Sequence, residues 1–350
     1  MTAVLQSLST ANSKVRNELP RAFSIYLDLL RFLAALSVVL HHTFLQFAPL
    51  EFPGHEAVVV FFVLSGYVIT HTTSRPGMTL STYLQHRIAR IVPVAWAALL
   101  VGLILSMAKG ELPLAATLTN MFFLGQSGLG WTEAPLNVAF WSLNYEVWYY
   151  LIFAAWIFSA PRYRIVLTGL AALIAGPKIV LLFPIWLMGV WLYRKMPVLD
   201  KGPALAIYAA TLIATVLLWR FDISELLRAW LYDVFPPAWR AHHSTQMLYD
   251  LVLGVVVTAH LSAAANIMSS LDWLTRFEGP IRYLAGLSFS MYAFHGLLGE
   301  LYQPGMSPFQ FYAELSIGIF LLAQLTECRV AFLRSMLRQL AGRTAHLSSH

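Results

Sequence analysis

Long apolar runs alternate with short polar loops along most of this chain, and that alternation predicts its elements. An α-helix rises 1.5 Å per residue, so about 20 apolar residues cross the roughly 30 Å hydrocarbon layer of a bilayer. Runs of this order lie near 25–47, 56–73, 88–108, 136–159, 163–177, 178–193, 203–220, 246–265, 281–301 and 308–332. The expectation is an all-α, polytopic transmembrane bundle of about ten spans. Another run, 113–125, is shorter and broken by Pro113, Thr117, Thr119 and Asn120; if it crosses, the count becomes 11. Loop cations decide between the two, because Lys and Arg accumulate in cytoplasmic loops. With ten crossings the basic residues Arg21, Arg75, Arg87, Arg90, Arg162, Arg164, Arg194, Lys195, Lys201, Arg276, Arg282 and Arg329 fall on one side, with Lys14, Arg16, Arg334, Arg338 and Arg343 of the termini. An eleventh crossing would put Arg162 and Arg164 outside. The bias predicts cytoplasmic N- and C-termini, with 113–125 at the outer interface or re-entrant. The organisation expected is an N-terminal segment at 1–24, a membrane domain at 25–333 and a basic then polar tail at 334–350.

The loop at 221–245 mixes Asp222, Glu225, Arg228, Trp230, Tyr232, Asp233, Trp239, Arg240, His242 and His243. It is long enough for an amphipathic interfacial helix, and reads first as an aromatic belt.

Composition sharpens the class. The 350 residues are 58% hydrophobic and only 11% charged, against about 25% charged in soluble domains. The net charge of +6 sits in short loops, so it is no nucleic-acid patch. A single cysteine, Cys328, excludes an intrachain disulfide and a thiolate-rich metal site. The pairs His41-His42 and His242-His243 have no third ligand at a useful spacing, so no metal is expected. Residues 1–20 are polar and show no signal-peptide pattern.

Against this background the ionisable residues inside the spans stand out, because charge in hydrocarbon costs about 2.5–3.5 kcal/mol on insertion scales. The first span carries Asp28, Arg31, His41 and His42. Eleven steps of about 100° bring His42 to within roughly 20° of the Arg31 face, about 16 Å along the axis, whereas His41 lies about 80° away. One stripe of guanidinium and imidazole predicts a polar passage through the bilayer, with Arg31 in its inner third and His42 in its outer third. The competing readings are a local Asp28–Arg31 pair and a structural, hydrogen-bonded His42.

Three further groups carry possible chemistry. Arg87 and Arg90 stand one turn apart at the start of a span and suit phosphates, or else anchor the span. Trp141-Ser142-Leu143-Asn144-Tyr145-Glu146 puts a carboxylate at membrane depth, where Glu146 would orient an imidazole or pair with an arginine. In Ser288-Phe289-Ser290-Met291-Tyr292-Ala293-Phe294-His295, the residues Ser288, Tyr292 and His295 share a face, suited either to an acceptor hydroxyl or to interhelical hydrogen bonds. Ser65-Gly66, mid-span, lacks the surroundings of a nucleophile elbow and reads as close helix packing.

These motifs together resemble the acyltransferase-3 family of membrane acyltransferases. The resemblance rests on the Arg31…His42 spacing, FFVLSGYVI at 61–69, Arg87-Ile88-Ala89-Arg90-Ile91-Val92-Pro93, Trp141-Ser142-Leu143…Glu146 and Ser290-Met291-Tyr292…His295, in family order over about 25–300. It implies transfer of an acyl group, usually acetyl from acetyl-CoA, to a sugar hydroxyl of an exopolysaccharide, lipopolysaccharide or similar glycan. It implies that Arg31 and His42 match the family's essential arginine and histidine. On this reading His42, Arg31 and Glu146 carry the chemistry; Arg87, Arg90 and Arg31 take the acyl-CoA; and His295, Tyr292, Ser290, Trp141 and His41 meet the acceptor. The expected partners are acyl-CoA, a glycan and the cell-membrane bilayer, with a second copy of the chain as a further candidate, and with no nucleic acid and no metal. Some relatives carry an added esterase-like domain, for which the tail here has no room. The rival classes are a transporter of glycan or lipid-linked sugar and a scaffold of a polysaccharide export complex. A transporter is disfavoured because no inverted repeat is visible.

Overall fold

The computed structural model describes residues 19–234, 244–336 and 339, and these contain helices and no strand. Lys14, Arg16, Trp239, Arg240, His242, His243, Arg338 and Arg343, and most of the two terminal segments, lie outside the described residues. The helices are α1 (Arg21–Thr43), α2 (Gly54–Thr73), α3 (Leu80–Ala108), α4 (Leu114–Met121), α5 (Trp141–Phe158), α6 (Pro161–Ala175), α7 (Pro177–Lys195), α8 (Lys201–Arg220), α9 (Ile223–Val234), α10 (Met247–Asn266), α11 (Met268–Leu271), α12 (Glu278–Gly286), α13 (Ser288–Gly299) and α14 (Pro308–Leu325). Local chemistry sets many of their ends. Thr79 caps α3 by accepting from the Thr82 N–H, and Ser307 caps α14 by accepting from the Gln310 N–H, both at 3.2 Å. Pro161, Pro177 and Pro308 open α6, α7 and α14, where a missing N–H costs nothing. Gly176, at φ +86°, separates α6 from α7.

Seven of these helices, counting the C-terminal one as Pro308–Met336, are long and apolar enough to cross a membrane. The other three expected spans are helical where expected, yet fall short of that standard. Helix α5 has 18 residues but carries Asn144 and Glu146. Helix α6 has 15 residues. The 281–301 segment breaks at Leu287 into α12 and α13, of 9 and 12 residues. Only eight residues of 113–125 are helical, about 12 Å of helix and well short of the bilayer. Helix α9 is the amphipathic element expected in the 221–245 loop, with Leu231 buried and Leu226 and Trp230 exposed.

Helix α2 runs through the middle of the bundle, against α1, α7 and α10. Its contact with α7 is backbone on backbone. A Cβ added at Gly66 would meet the Trp186 carbonyl oxygen at 2.0 Å, and one at Gly189 would meet that of Val63 at 2.0 Å. Lipid supplies no hydrophobic drive between helices, so such close approach replaces it. A buried polar cluster ties α1 to α8 and α10: the Tyr26 hydroxyl meets His260 Nε2 at 2.5 Å, and Thr211 Oγ1 meets His260 Nδ1 at 2.9 Å.

The bundle has a basic end, where α1 begins, and an opposite end. At the basic end Arg21 and Arg282 both bond Glu278, Arg282 Nη1 also reaches Asp28 at 2.9 Å, and Asp28 meets Arg31 at 3.2 Å. These ion pairs lace α12 to α1. The hydrogen bonds from Arg21 and Arg282 hold the Glu278 carboxyl below its ordinary range.

Two outcomes follow. Gly66→Val drives a side chain into the α7 backbone; its cost reaches or passes the about 1–3 kcal/mol of ordinary overpacking. The variant should lose its monodisperse peak in size-exclusion chromatography, and a wild-type elution profile would contradict the packing. A depressed carboxylate stabilises the fold above the ordinary carboxylate range, and that contribution is lost as pH falls through its lowered pKa. Glu278→Gln should therefore lower the melting temperature modestly at neutral pH, with the gap to wild type closing in acid; a gap that persists there would refute this role.

Candidate active site

Many polar residues of the membrane spans border two cavities, and no residue lines both. The cavity toward the basic end, of about 140 Å³, is bounded by Asp28 and Arg31 from α1, Ser65 from α2, Arg87 and Arg90 from α3, Ser142, Glu146 and Tyr150 from α5, and Ser288 and Tyr292 from α13. Its apolar wall is Val58, Phe61, Phe62 and Leu143. The cavity toward the opposite end, of about 230 Å³, is bounded by His42, Thr43 and Gln46 from α1, by Leu136, Val138 and Ala139 before α5, and by His295, Gly296, Gly299 and Glu300. Leu136 holds a left-handed φ of +52° in this wall, a conformation a non-glycine residue keeps only when its surroundings impose it. The neighbouring Asn137 is anchored across the bundle, its Nδ2 donating to the Ala293 carbonyl at 2.9 Å.

In the basic-end cavity the three guanidiniums converge from two helices. Arg31 Nη2 bonds the Ala285 carbonyl at 3.0 Å and pairs with Asp28, so the local pair weighed for this residue is formed. The Arg87 guanidinium lies 5.9 Å and 5.6 Å from the Tyr83 and Tyr150 ring centres. Arg90 approaches Glu327 at 4.0 Å. The buried Nε atoms of Arg31 and Arg87 have no hydrogen-bond partner. Unfilled donors on always-charged side chains are the chemistry of an anion site.

Glu146 is not where a triad would need it. Its Oε1 accepts from Ser65 Oγ at 2.8 Å and from the Tyr150 hydroxyl, and Trp186 Nε1 donates to Ser65 at 3.1 Å. This cluster belongs to the basic-end cavity, so Glu146 orients a serine and a tyrosine and not the His42 imidazole. The four-residue spacing to Tyr150 and the facing Ser65 satisfy the carboxylate before any histidine reaches it.

His42 meets a different partner. His295 Nδ1 lies 2.9 Å from the Tyr292 carbonyl and 3.1 Å from that of Met291, so it carries the proton and leaves Nε2 as an acceptor. His42 Nδ1 faces both that Nε2, at 3.2 Å, and the Val38 carbonyl, at 2.9 Å, and two acceptors require it to be the protonated nitrogen. The hydrogen-bond network thus assigns His42 a bare Nε2 lone pair. His42 is exposed and lines the opposite-end cavity, whereas His295 is 1% exposed behind it.

Other sequence candidates fall elsewhere. His41 Nδ1 is spent on the Phe52 carbonyl at 2.7 Å, and its ring fills the space beside Gly54. Ser290 is fully buried and gives both its N–H and its hydroxyl to Glu327 Oε2 at 3.0 Å. Trp141 lines neither cavity; its ring stands edge-on to Phe62 and Tyr145. Tyr292 lines the basic-end cavity and not the side His42 faces. His41, Ser290 and Trp141 thus border neither of the two cavities.

Glu327 stands outside the groups expected from the sequence. It caps the first turn of α13, whose free N–H groups need acceptors, and sets a carboxylate between α13 and Arg90. Its signal was available: an acid near the end of an apolar run.

The model of the acyltransferase-3 family, described as an acyltransferase domain, matches residues 24–325, nearly the whole described bundle. The chain belongs to this family. Within it, the exopolysaccharide production protein ExoZ of Rhizobium meliloti (strain 1021) is 34% identical over 137 residues, 35% of this chain and 41% of that relative. The chain thus spans about two fifths of the curated relative it matches. No solved structure matches. A member of this family with seven spanning-length helices among its described residues, the chain is a multi-pass membrane protein.

Glu327→Ala would strip the Ser290 N–H of its acceptor and leave Arg90 without its carboxylate. A buried donor left unpaired costs about 1–3 kcal/mol, so the variant should melt several degrees lower. A melting temperature equal to wild type would rule out the cap.

Proposed function

We propose that this protein moves an acyl group, acetyl in the first instance, from acyl-CoA at the basic end of the bundle to a sugar hydroxyl at the opposite end. The single observation that carries this reading is the back-to-back pair of cavities. One gathers Arg31, Arg87 and Arg90, and the other ends on the bare Nε2 of His42. The unpartnered Nε atoms of Arg31 and Arg87 fit the phosphates of a coenzyme A donor. The positive-inside pattern supports a cytoplasmic position for that end, where acyl-CoA is made.

His42 Nε2 takes the proton of the acceptor hydroxyl as its oxygen attacks the thioester carbonyl. The tetrahedral intermediate then collapses, the carbon–sulfur bond breaks, and the coenzyme A thiolate leaves and takes up that proton. A neutral imidazole suits this work because its ordinary pKa lies near the operating pH. His295 positions His42 and keeps Nδ1 protonated, so Nε2 stays free. The likeness to ExoZ, named for exopolysaccharide production, supports a surface glycan as the acceptor.

His42→Ala should leave membrane insertion intact and cut acyl transfer to purified polysaccharide by about 10²-fold or more, the range of general-base assistance. The readout is acyl content of the glycan by mass spectrometry. Unchanged acylation would overturn the assignment, and is what a scaffold or exporter would give.

A further inference from the structure

A hydrogen-bonded contact lies between the two cavities. The Tyr292 hydroxyl donates to the Ala139 carbonyl at 2.8 Å and meets Ser142 Oγ at 2.5 Å. Tyr292 and Ser142 face the basic-end cavity, while Ala139 faces the other. The Tyr292 ring stands edge-on to Phe61 at 5.7 Å and is 5% exposed, so ring and hydroxyl together close the way. The same residue reaches the far side through its backbone, whose carbonyl fixes His295 and, through it, His42. A thioester held by the arginines is thus on the wrong side of Tyr292 from the imidazole.

We propose that Tyr292 and Ser142 form a partition that the acyl group must cross, and that the room beside the Tyr292 ring sets how long an acyl chain is transferred. This rests on the two-cavity reaction above. A short acyl group needs only the hydroxyl contact to part, and its carbonyl then comes within reach of the hydroxyl that closed the gap. A longer chain needs the whole ring displaced from Phe61. While the contact is closed, water in the far cavity is kept from the thioester. Tyr292 is in this sense a specificity residue, not a further base.

The test reconstitutes the full chain in vesicles and supplies acetyl-, butyryl- and hexanoyl-CoA. Tyr292→Leu, which shortens the barrier yet stays apolar, should raise the ratio of butyryl to acetyl transfer at least tenfold. It should also raise acceptor-free coenzyme A release at least tenfold. Tyr292→Phe and Ser142→Ala keep the bulk and remove only the hydrogen bonds, so they should raise acceptor-free release with the chain-length ratio unchanged. They also keep the test sharp if Tyr292→Leu does not fold. Wild-type ratios and wild-type release in all folded variants would overturn the partition. Urea permeation of the vesicles reads the partition without any acyl donor: tight in wild type, faster in Tyr292→Leu. A wild type that transfers no acyl group beside a leaky Tyr292→Leu would condemn the donor reading and not the partition. Equal permeation in the two proteins would condemn the partition.

Discussion

Every charge held in a bilayer needs an acceptor, a counter-charge or water, and this requirement organises the bundle. Arg31 is answered by Asp28 and the Ala285 carbonyl, Arg90 approaches Glu327, and Glu146 is closed on Ser65 and Tyr150. What these partners leave over is informative. The Nε atoms of Arg31 and Arg87 and one oxygen of Glu327 are buried without a hydrogen-bond partner, and exposed His42 borders the opposite-end cavity. Groups this costly to orphan are retained where something else completes them. The three buried ones border or adjoin the basic-end cavity.

The helical frame serves this arrangement by bringing distant parts of the chain to one axis. Helix α2 packs against α7 through Gly66 and Gly189 with no side chain between them, which sets Ser65 beside Trp186 and α5. The break at Leu287 lets α13 start inside the bundle, its first turn capped by Glu327 and its far end bearing His295. One short helix thereby touches both cavities, Ser288 and Tyr292 on one side and His295 on the other.

Much of this was legible in the sequence. Apolar runs located the helical segments because bilayer thickness fixes their length, and rotation at 100° per residue put Arg31 and His42 on one face. That arithmetic is local to α1. It cannot see that Tyr292, arriving from a helix some 250 residues later, closes the passage between them, nor that His295 is the imidazole's partner. Glu146 was given a triad role by its type and depth, but its neighbours on α2 and its own helix already satisfy it. The break at Leu287 is flanked by Gly286 and Ser288, a stop and a start that reading 281–301 as one apolar run does not weigh. Seven helices meet the spanning standard where ten runs were counted, because polar groups in α5, the shortness of α6 and the α12–α13 break dilute or divide the apolar length.

Transfer between opposite ends of the bundle is best tested with the protein held in one orientation in sealed vesicles. Acetyl-CoA labelled in its acetyl group is supplied only at the end bearing Arg87 and Arg90, and polysaccharide only at the end bearing His42. Label should appear on the polysaccharide, and no label should appear when the two compartments are exchanged. Labelling that occurs only with donor and acceptor on the same side would contradict a reaction across the membrane.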